Sequence, residues 1–153
     1  MPAKARCQIT VRHYECDPLG HVNHAVYVHY FEIGRLEAMA EAGLPFSAIL
    51  KQDYMVVASD LCVRYKAPAL TEDVLDVYSC IVHFRGSRML WQQELYHHNR
   101  GELLALARVT GVFTRANGRP TRIPPAMRAS LEAAYLPQEA WHTPAHSRPP
   151  LGT

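Results

Sequence analysis

Asp17 is followed by Pro18, Leu19 and Gly20, residue types that suit a type I turn, with Asp first, Pro second and Gly fourth. A turn of that kind fixes a carboxylate. Three residues on, Asn23 suits the N-cap of a helix beginning at His24 or Ala25, and the first turn of any helix leaves backbone N–H groups unpaired. With the positive end of the helix dipole behind them, such amides polarise a carbonyl or hold an oxyanion, an effect worth about 3 to 4 kcal/mol per donor in hydrolases. Asp17 can attack a carbonyl as a nucleophile or activate a water as a general base. Both roles require it ionised at neutral pH, which the nearby helix end favours. An Asp opening such a turn can also be occupied with the turn's own amides. His13, Cys16, His21, His24 and His29 are potential metal ligands, but their spacing matches no zinc pattern, so no metal is expected.

These residues need elements to hold them. Residues 7–13 alternate with β-forming side chains and read as a strand ended by the turn chemistry of residues 15–20. Residues 25–42 contain no Pro and are followed by Gly43, the pattern of one long helix. Its first half is apolar on nearly every side, which predicts a helix surrounded by protein. Residues 44–50, with Pro45, read as a short connector helix. Strands are then expected at 54–66, 74–85, 88–98 and 102–115. In the first, Val57, Ser59, Leu61, Val63 and Tyr65 alternate against Ala58, Asp60, Cys62 and Arg64. Turn residues at 68–73, 85–87 and 99–101 predict four consecutive hairpin-linked strands.

The sum is an α+β arrangement with the outline of a hotdog fold, a curved antiparallel sheet wrapped around one long central helix. Asn117-Gly118 closes the last strand, and Pro124 and Pro125 open a short helix reaching about Tyr135. The chain reads as one domain, 1–136, with a proline-rich tail over 137–153.

Composition bounds the function. The 153 residues suit one domain, and 48% hydrophobic with 20% charged residues is ordinary for a globular protein. No apolar run approaches the roughly 20 residues of a membrane span. A net charge of +2 is too mild for a nucleic-acid footprint and fits a local anionic ligand better. Lys4 and Arg6 are not followed by the apolar core of a signal peptide, so a cytoplasmic protein is expected. Cys7, Cys16, Cys62 and Cys80 show no paired spacing and read as reduced thiols.

The stretch YECDPLGHVNHAVYVHYFEIGRLEAM, residues 14–39, resembles the 4-hydroxybenzoyl-CoA thioesterase family and the related bacterial acyl-CoA thioesterases of the Tol-Pal gene cluster. The likeness extends from about Arg6 to Tyr135, and its sharp matches are Asp17, Pro18, Gly20, Val22, Tyr27, Tyr30 and Glu32. His21 and Asn23 are similar to broader relatives that read DxxGHVNN. The resemblance implies that Asp17 is the catalytic carboxylate and that the backbone amide of His24 polarises the thioester. Tol-Pal-linked members also carry a His where His24 stands, whose side chain could bond the thioester, protonate the leaving thiolate, or simply lie on the surface.

Gly20, Asn23 and Tyr27 join them as substrate-binding candidates, although packing or an interface role suits Tyr27 and Glu32 as well. Coenzyme A, here part of the substrate and not a cofactor, presents phosphates that the planar fork of Arg can grip. The resemblance places a CoA-contacting loop near Arg85, Ser87 and Arg88; by residue type, Arg115, Arg119 and Arg122 form a second basic group able to reach the nucleotide of the same or a neighbouring subunit. The acyl pocket is expected between helix and sheet, near Tyr27, Phe31, Val57 and Ser59. Relatives assemble as homodimers or homotetramers with sites at subunit junctions. The competing readings are a hotdog dehydratase and a non-catalytic acyl-CoA-binding or regulatory protein.

Overall fold

In the computed structural model, which describes residues 5–137, the first strand β1 (Ala5–Thr10) runs into a 3-10 turn (His13–Glu15). Next comes the 16-residue helix α1 (Val26–Glu41), followed by the short helix α2 (Phe46–Lys51). Strands β2 (Tyr54–Tyr65), β3 (Val74–Arg85), β4 (Arg88–His97) and β5 (Leu103–Arg115) follow. Helix α3 (Pro125–Leu131) and a 3-10 turn (Glu132–Ala134) occupy the span expected for one short helix. The expected tail lies, apart from Pro137, outside the described residues.

The strands form one antiparallel sheet in the order β1-β3-β4-β5-β2. The expectation of four hairpin-linked strands is corrected here. β3, β4 and β5 form a meander, but β2 pairs with β5, from Tyr54 opposite Arg115 to Tyr65 opposite Ala105. The linker after β2 is no tight turn because it is docked: Ala69 is fully buried, and its carbonyl accepts the Val22 amide at 2.9 Å.

Helix α1 buries Tyr27, Tyr30, Phe31, Gly34, Ala38 and Met39. Its packing partners are mainly β1 and β3, so within one chain it is not enclosed, and Ile33 and Leu36 on its other face remain about 40% exposed. The apolar first half therefore packs along one face only. Its amino-terminal half joins a core with Val77, Leu95 and Leu104, and its carboxy-terminal half a core with Trp91, Phe113 and Leu131.

Gly34 marks the crossing between the two. A Cβ there would lie 2.6 Å from Val77 Cγ1 and 2.8 Å from Ser79 Oγ, so only glycine lets the helix sit this close. Beside it the buried Gln93 side chain donates to the Phe31 carbonyl and to Ser79 Oγ, both at 2.7 Å, and accepts from Arg35 at 2.9 Å. A fully bonded polar bridge of this kind fixes how far along the sheet the helix lies.

Candidate active site

The Asp17 turn forms as the sequence predicts. The Gly20 amide donates to the Asp17 carbonyl at 2.9 Å, Gly20 adopts φ +78°, and the Asp17 amide donates to the His21 carbonyl at 2.8 Å. Cys16 and Val22 pair as an antiparallel bridge on either side, so the turn is the tip of a tight three-residue hairpin loop, for which Gly supplies the left-handed residue. The carboxylate divides its work. Oδ1 accepts the Leu19 amide at 2.9 Å and the His21 amide at 3.2 Å, whereas Oδ2 has no partner among the described residues. One oxygen holds the turn and the other takes no part in it.

Asn23 does not cap the helix in the expected way. Its Oδ1 accepts the Ala25 amide at 2.9 Å and its carbonyl the Val26 amide at 2.9 Å, so residues 24–25 form an extra turn ahead of α1, with Ala25 at the N-cap position. The short Asn side chain reaches the amide two residues on, an Asx-turn, before the helix begins. The Asn23 amide donates to the Glu15 carbonyl at 2.9 Å. The His24 N–H has no partner among the described residues, and it lies at the amino-terminal approach to α1.

Asp17, His21, Val22, His24 and Tyr27 line an open cleft of about 340 Å³, closed on its far side by Tyr65 and residues 66–68. Tyr27 is buried and stands edge-on to Tyr65, with ring centroids 5.1 Å apart. Its hydroxyl oxygen accepts the Ala69 amide at 3.0 Å, and burial, the largest influence, raises its pKa. Tyr27 is thus a neutral wall of the cleft. Tyr65, which sequence reading treated only as part of an alternating strand, donates its hydroxyl to the His24 carbonyl at 2.7 Å. No spacing rule could have paired residues 41 positions apart.

The remaining candidates lie elsewhere. Ser59 is exposed on β2, donates to Asp60 Oδ2 at 2.9 Å and does not line the cleft. Phe31 is fully buried in the core, and Val57 lines a separate groove with Glu32, Arg35, Leu36 and Trp91, so the four expected acyl-pocket residues are not one pocket. The reason is that Phe31 is committed to the core with Val77, Leu95 and Leu104, whereas Val57 borders the partly exposed groove beside Leu36 and Met39. Arg85 and Arg88 pair across the Gly86-Ser87 loop, and the Ser87 carbonyl accepts the Phe113 amide. Arg119 is exposed in the loop after β5, where its amide donates to Asn117 Oδ1 at 3.0 Å.

These arginines stand at the opposite end of the sheet from Asp17. Tyr65 borders the cleft, whereas Arg88 is opposite Val112, which pairs with Val57. At about 3.3 Å per strand residue, the separation is roughly 25 to 30 Å. Among the described residues no group of three or more His, Cys, Asp or Glu side chains is placed to hold a metal, and no helix is long and apolar enough to cross a membrane.

Comparison with known proteins places this cleft in context. The thioesterase-like superfamily matches the chain over residues 11–131. A chloroplastic acyl-acyl carrier protein thioesterase of Arabidopsis thaliana is 26% identical over 124 residues, covering 81% of this chain and 65% of the relative. An acyl-CoA thioester hydrolase of Escherichia coli O6:H1 is 28% identical over 90 residues, covering 59% of this chain and 67% of that protein. Among solved structures, a hypothetical protein from Thermus thermophilus superposes with a TM-score of 0.81 at 25% identity, covering 86% of this chain and 99% of that one. The chain thus spans about two thirds of the length of these curated relatives.

Proposed function

The chain belongs to the thioesterase-like superfamily, and from that premise we propose that it hydrolyses acyl-CoA thioesters to a free acid and coenzyme A at the Asp17 cleft. The observation that carries the reading is the pairing of a fixed carboxylate with an unpartnered backbone amide, Asp17 and His24, on the walls of one cleft. The thioester carbonyl oxygen accepts the His24 N–H, which stabilises the negative charge that builds there as the carbon becomes tetrahedral. Asp17 supplies the attack in one of two ways. As nucleophile it forms an acyl-enzyme anhydride that water then opens. As general base it takes a proton from the attacking water. In either case the C–S bond breaks and the coenzyme A thiolate leaves to be protonated.

The phosphate-binding end comes from a second copy in this reading. β2 is an edge strand and exposes Val57, Leu61 and Tyr65, and α1 exposes Ile33 and Leu36 beside it. An open, apolar edge of this kind invites pairing with another copy. Antiparallel pairing of two β2 edges about a two-fold axis sets the Tyr65 end of one protomer beside the Tyr54 end of its partner. Each Asp17 cleft then faces the partner's Arg88 and Arg119 end, and the open face of α1 becomes covered, giving the wrapped central helix of the hotdog outline. The family of relatives with 4-hydroxybenzoyl-CoA or Tol-Pal links and a cytoplasmic setting remain part of the same proposal, as does the absence of any cofactor.

The test is thiol release by the purified chain across short, long, branched and aromatic acyl-CoAs, with Asp17→Asn as the control. Turnover abolished by that substitution supports the reading. Tight acyl-CoA binding without turnover in the wild type would favour a binding or regulatory protein instead.

A further inference from the structure

The His24 amide can act on a carbonyl only if its peptide plane is held at one angle, and the hydrogen bonds around it fix all its neighbours. On the amino-terminal side, the Asn23 amide is tied to the Glu15 carbonyl and the Asn23 carbonyl accepts the Val26 amide. On the carboxy-terminal side, the peptide between His24 and Ala25 is gripped at both poles. Its N–H goes to Asn23 Oδ1 at 2.9 Å, and its C=O takes the Tyr65 hydroxyl at 2.7 Å. All but one of these partners lie within residues 15–26 and travel with the loop. The exception is Tyr65, on β2.

We propose that Tyr65 is a positioning residue for thioester hydrolysis, its hydroxyl clamping the His24–Ala25 peptide to the sheet so that the His24 N–H is aimed at the substrate carbonyl. The inference rests on the reading of the cleft as a thioesterase site. Tyr65 is suited to the task because its own place is set independently. Its ring stands edge-on at 5.1 Å against Tyr27, whose hydroxyl is anchored to the Ala69 amide. Tyr65 occupies the last position of β2, opposite Ala105 of β5, so the clamp ties the loop to a strand end that the sheet itself holds by pairing. The Tyr65 phenol is protonated through the neutral range, and partial desolvation raises its pKa further, so the hydroxyl is a donor there. Without it the His24 carbonyl turns to water, a partner with no fixed position. An oxyanion donor that must be reoriented in each turnover loses much of its advantage, because its value lies in costing no reorganisation during the reaction.

The experiment compares wild type with Tyr65→Phe, which keeps the ring and removes only the hydroxyl. The expected result is a loss of about tenfold in kcat with KM within about twofold, since the interaction strengthens in the transition state. The pH profile of kcat keeps its shape, because Asp17 is untouched. A spectroscopic readout separates aiming from general loosening. In an Asp17→Asn background, which retains uncleaved substrate, the infrared stretch of a ¹³C-labelled thioester carbonyl is shifted down on binding. Adding Tyr65→Phe moves it back toward its solution value. Unchanged kcat, or an equal carbonyl shift with and without the hydroxyl, overturns the clamp while leaving the thioesterase reading intact. A wild-type chain that cleaves no thioester brings down both.

Discussion

Tyr30 donates its hydroxyl to Glu15 Oε1 at 3.1 Å, and the same carboxylate oxygen accepts the Arg12 amide at 2.7 Å. The bond ties the buried face of α1 to the 3-10 turn that delivers the chain to Asp17. Burial and the facing Glu15 carboxylate both push the Tyr30 pKa up, so the phenol stays neutral and donating. Tyr30→Phe should lower the unfolding free energy by about 1 to 2 kcal/mol, read from urea denaturation with an unchanged m-value. A variant as stable as wild type would mean that water replaces the phenol at no cost.

Asp17→Asn should lower kcat by about two orders of magnitude or more. The Asn side-chain oxygen can still accept the Leu19 and His21 amides, so the turn survives and Tm should move by less than about 4 °C. Near-wild-type turnover would remove Asp17 from the mechanism. Single turnover in ¹⁸O water separates its two roles, because label enters the Asp17 carboxylate only by the nucleophilic route.

Gly34→Ala gains about 1 kcal/mol of helix propensity, but its Cβ would press on Val77 Cγ1 and Ser79 Oγ. Overpacking at about 1 to 3 kcal/mol outweighs that gain, because both contacts belong to short side chains held by the sheet. The expected result is a lower Tm in calorimetry. An alanine variant with raised Tm would show that helix and sheet can separate freely.

Arg88→Ala should raise KM for CoA esters roughly fivefold at low ionic strength and leave kcat near wild type, since Arg88 is far from Asp17 in its own chain and is assigned to a phosphate. The difference between variant and wild type should shrink as salt rises. Equal KM values at every salt concentration would move the nucleotide site elsewhere.

Cys7, Tyr27, Tyr30 and Tyr96 all hold their protons more tightly in the folded chain, with burial the first cause in each, and Cys7 is raised from 9.0 to about 11. Near and above pH 9 the unfolded chain begins to lose protons that the folded chain retains, so their stabilising contribution is complete below pH 9 and falls as pH climbs through about 11. Tm measured from pH 8 to 11 should decline over that window. Phenolate absorbance should lag behind that of the urea-unfolded chain, and coincident titrations would contradict the burial of these groups.

Much of this protein was legible in local sequence because local physics decides it. Asp, Pro and Gly at 17, 18 and 20 dictate a turn through φ preferences and side-chain reach, and the turn forms with Gly20 at positive φ. Period-two alternation and Gly-bearing turns set β2 to β5 within a residue, and the Pro-free stretch ending at Gly43 set α1, whereas β1, expected at 7–13, lies at Ala5–Thr10 because the chain leaves the sheet for the 3-10 turn at His13. Asn23 was recognised as a local acceptor, but which amide it takes depends on an extra turn that propensity does not encode.

The tertiary structure alone decided the rest. Strand order is a matter of long-range pairing, so turn residues at 68–73 looked like a hairpin when in fact β2 crosses to pair with β5. That crossing carries Tyr65 to the His24 carbonyl and Ala69 to the Tyr27 hydroxyl, contacts between residues about 40 positions apart that no periodicity reports. Arg88 and Arg119 stand at the far end of the sheet because β3 and β5 each run its length away from the cleft, which residue type could not reveal. The sequence by itself determined a carboxylate turn before a helix, because turn and helix signals act over a few residues. Which side chains wall the cleft and hold the His24 peptide still was decided only by the fold, because burial and strand pairing act between segments whose separation along the chain is arbitrary.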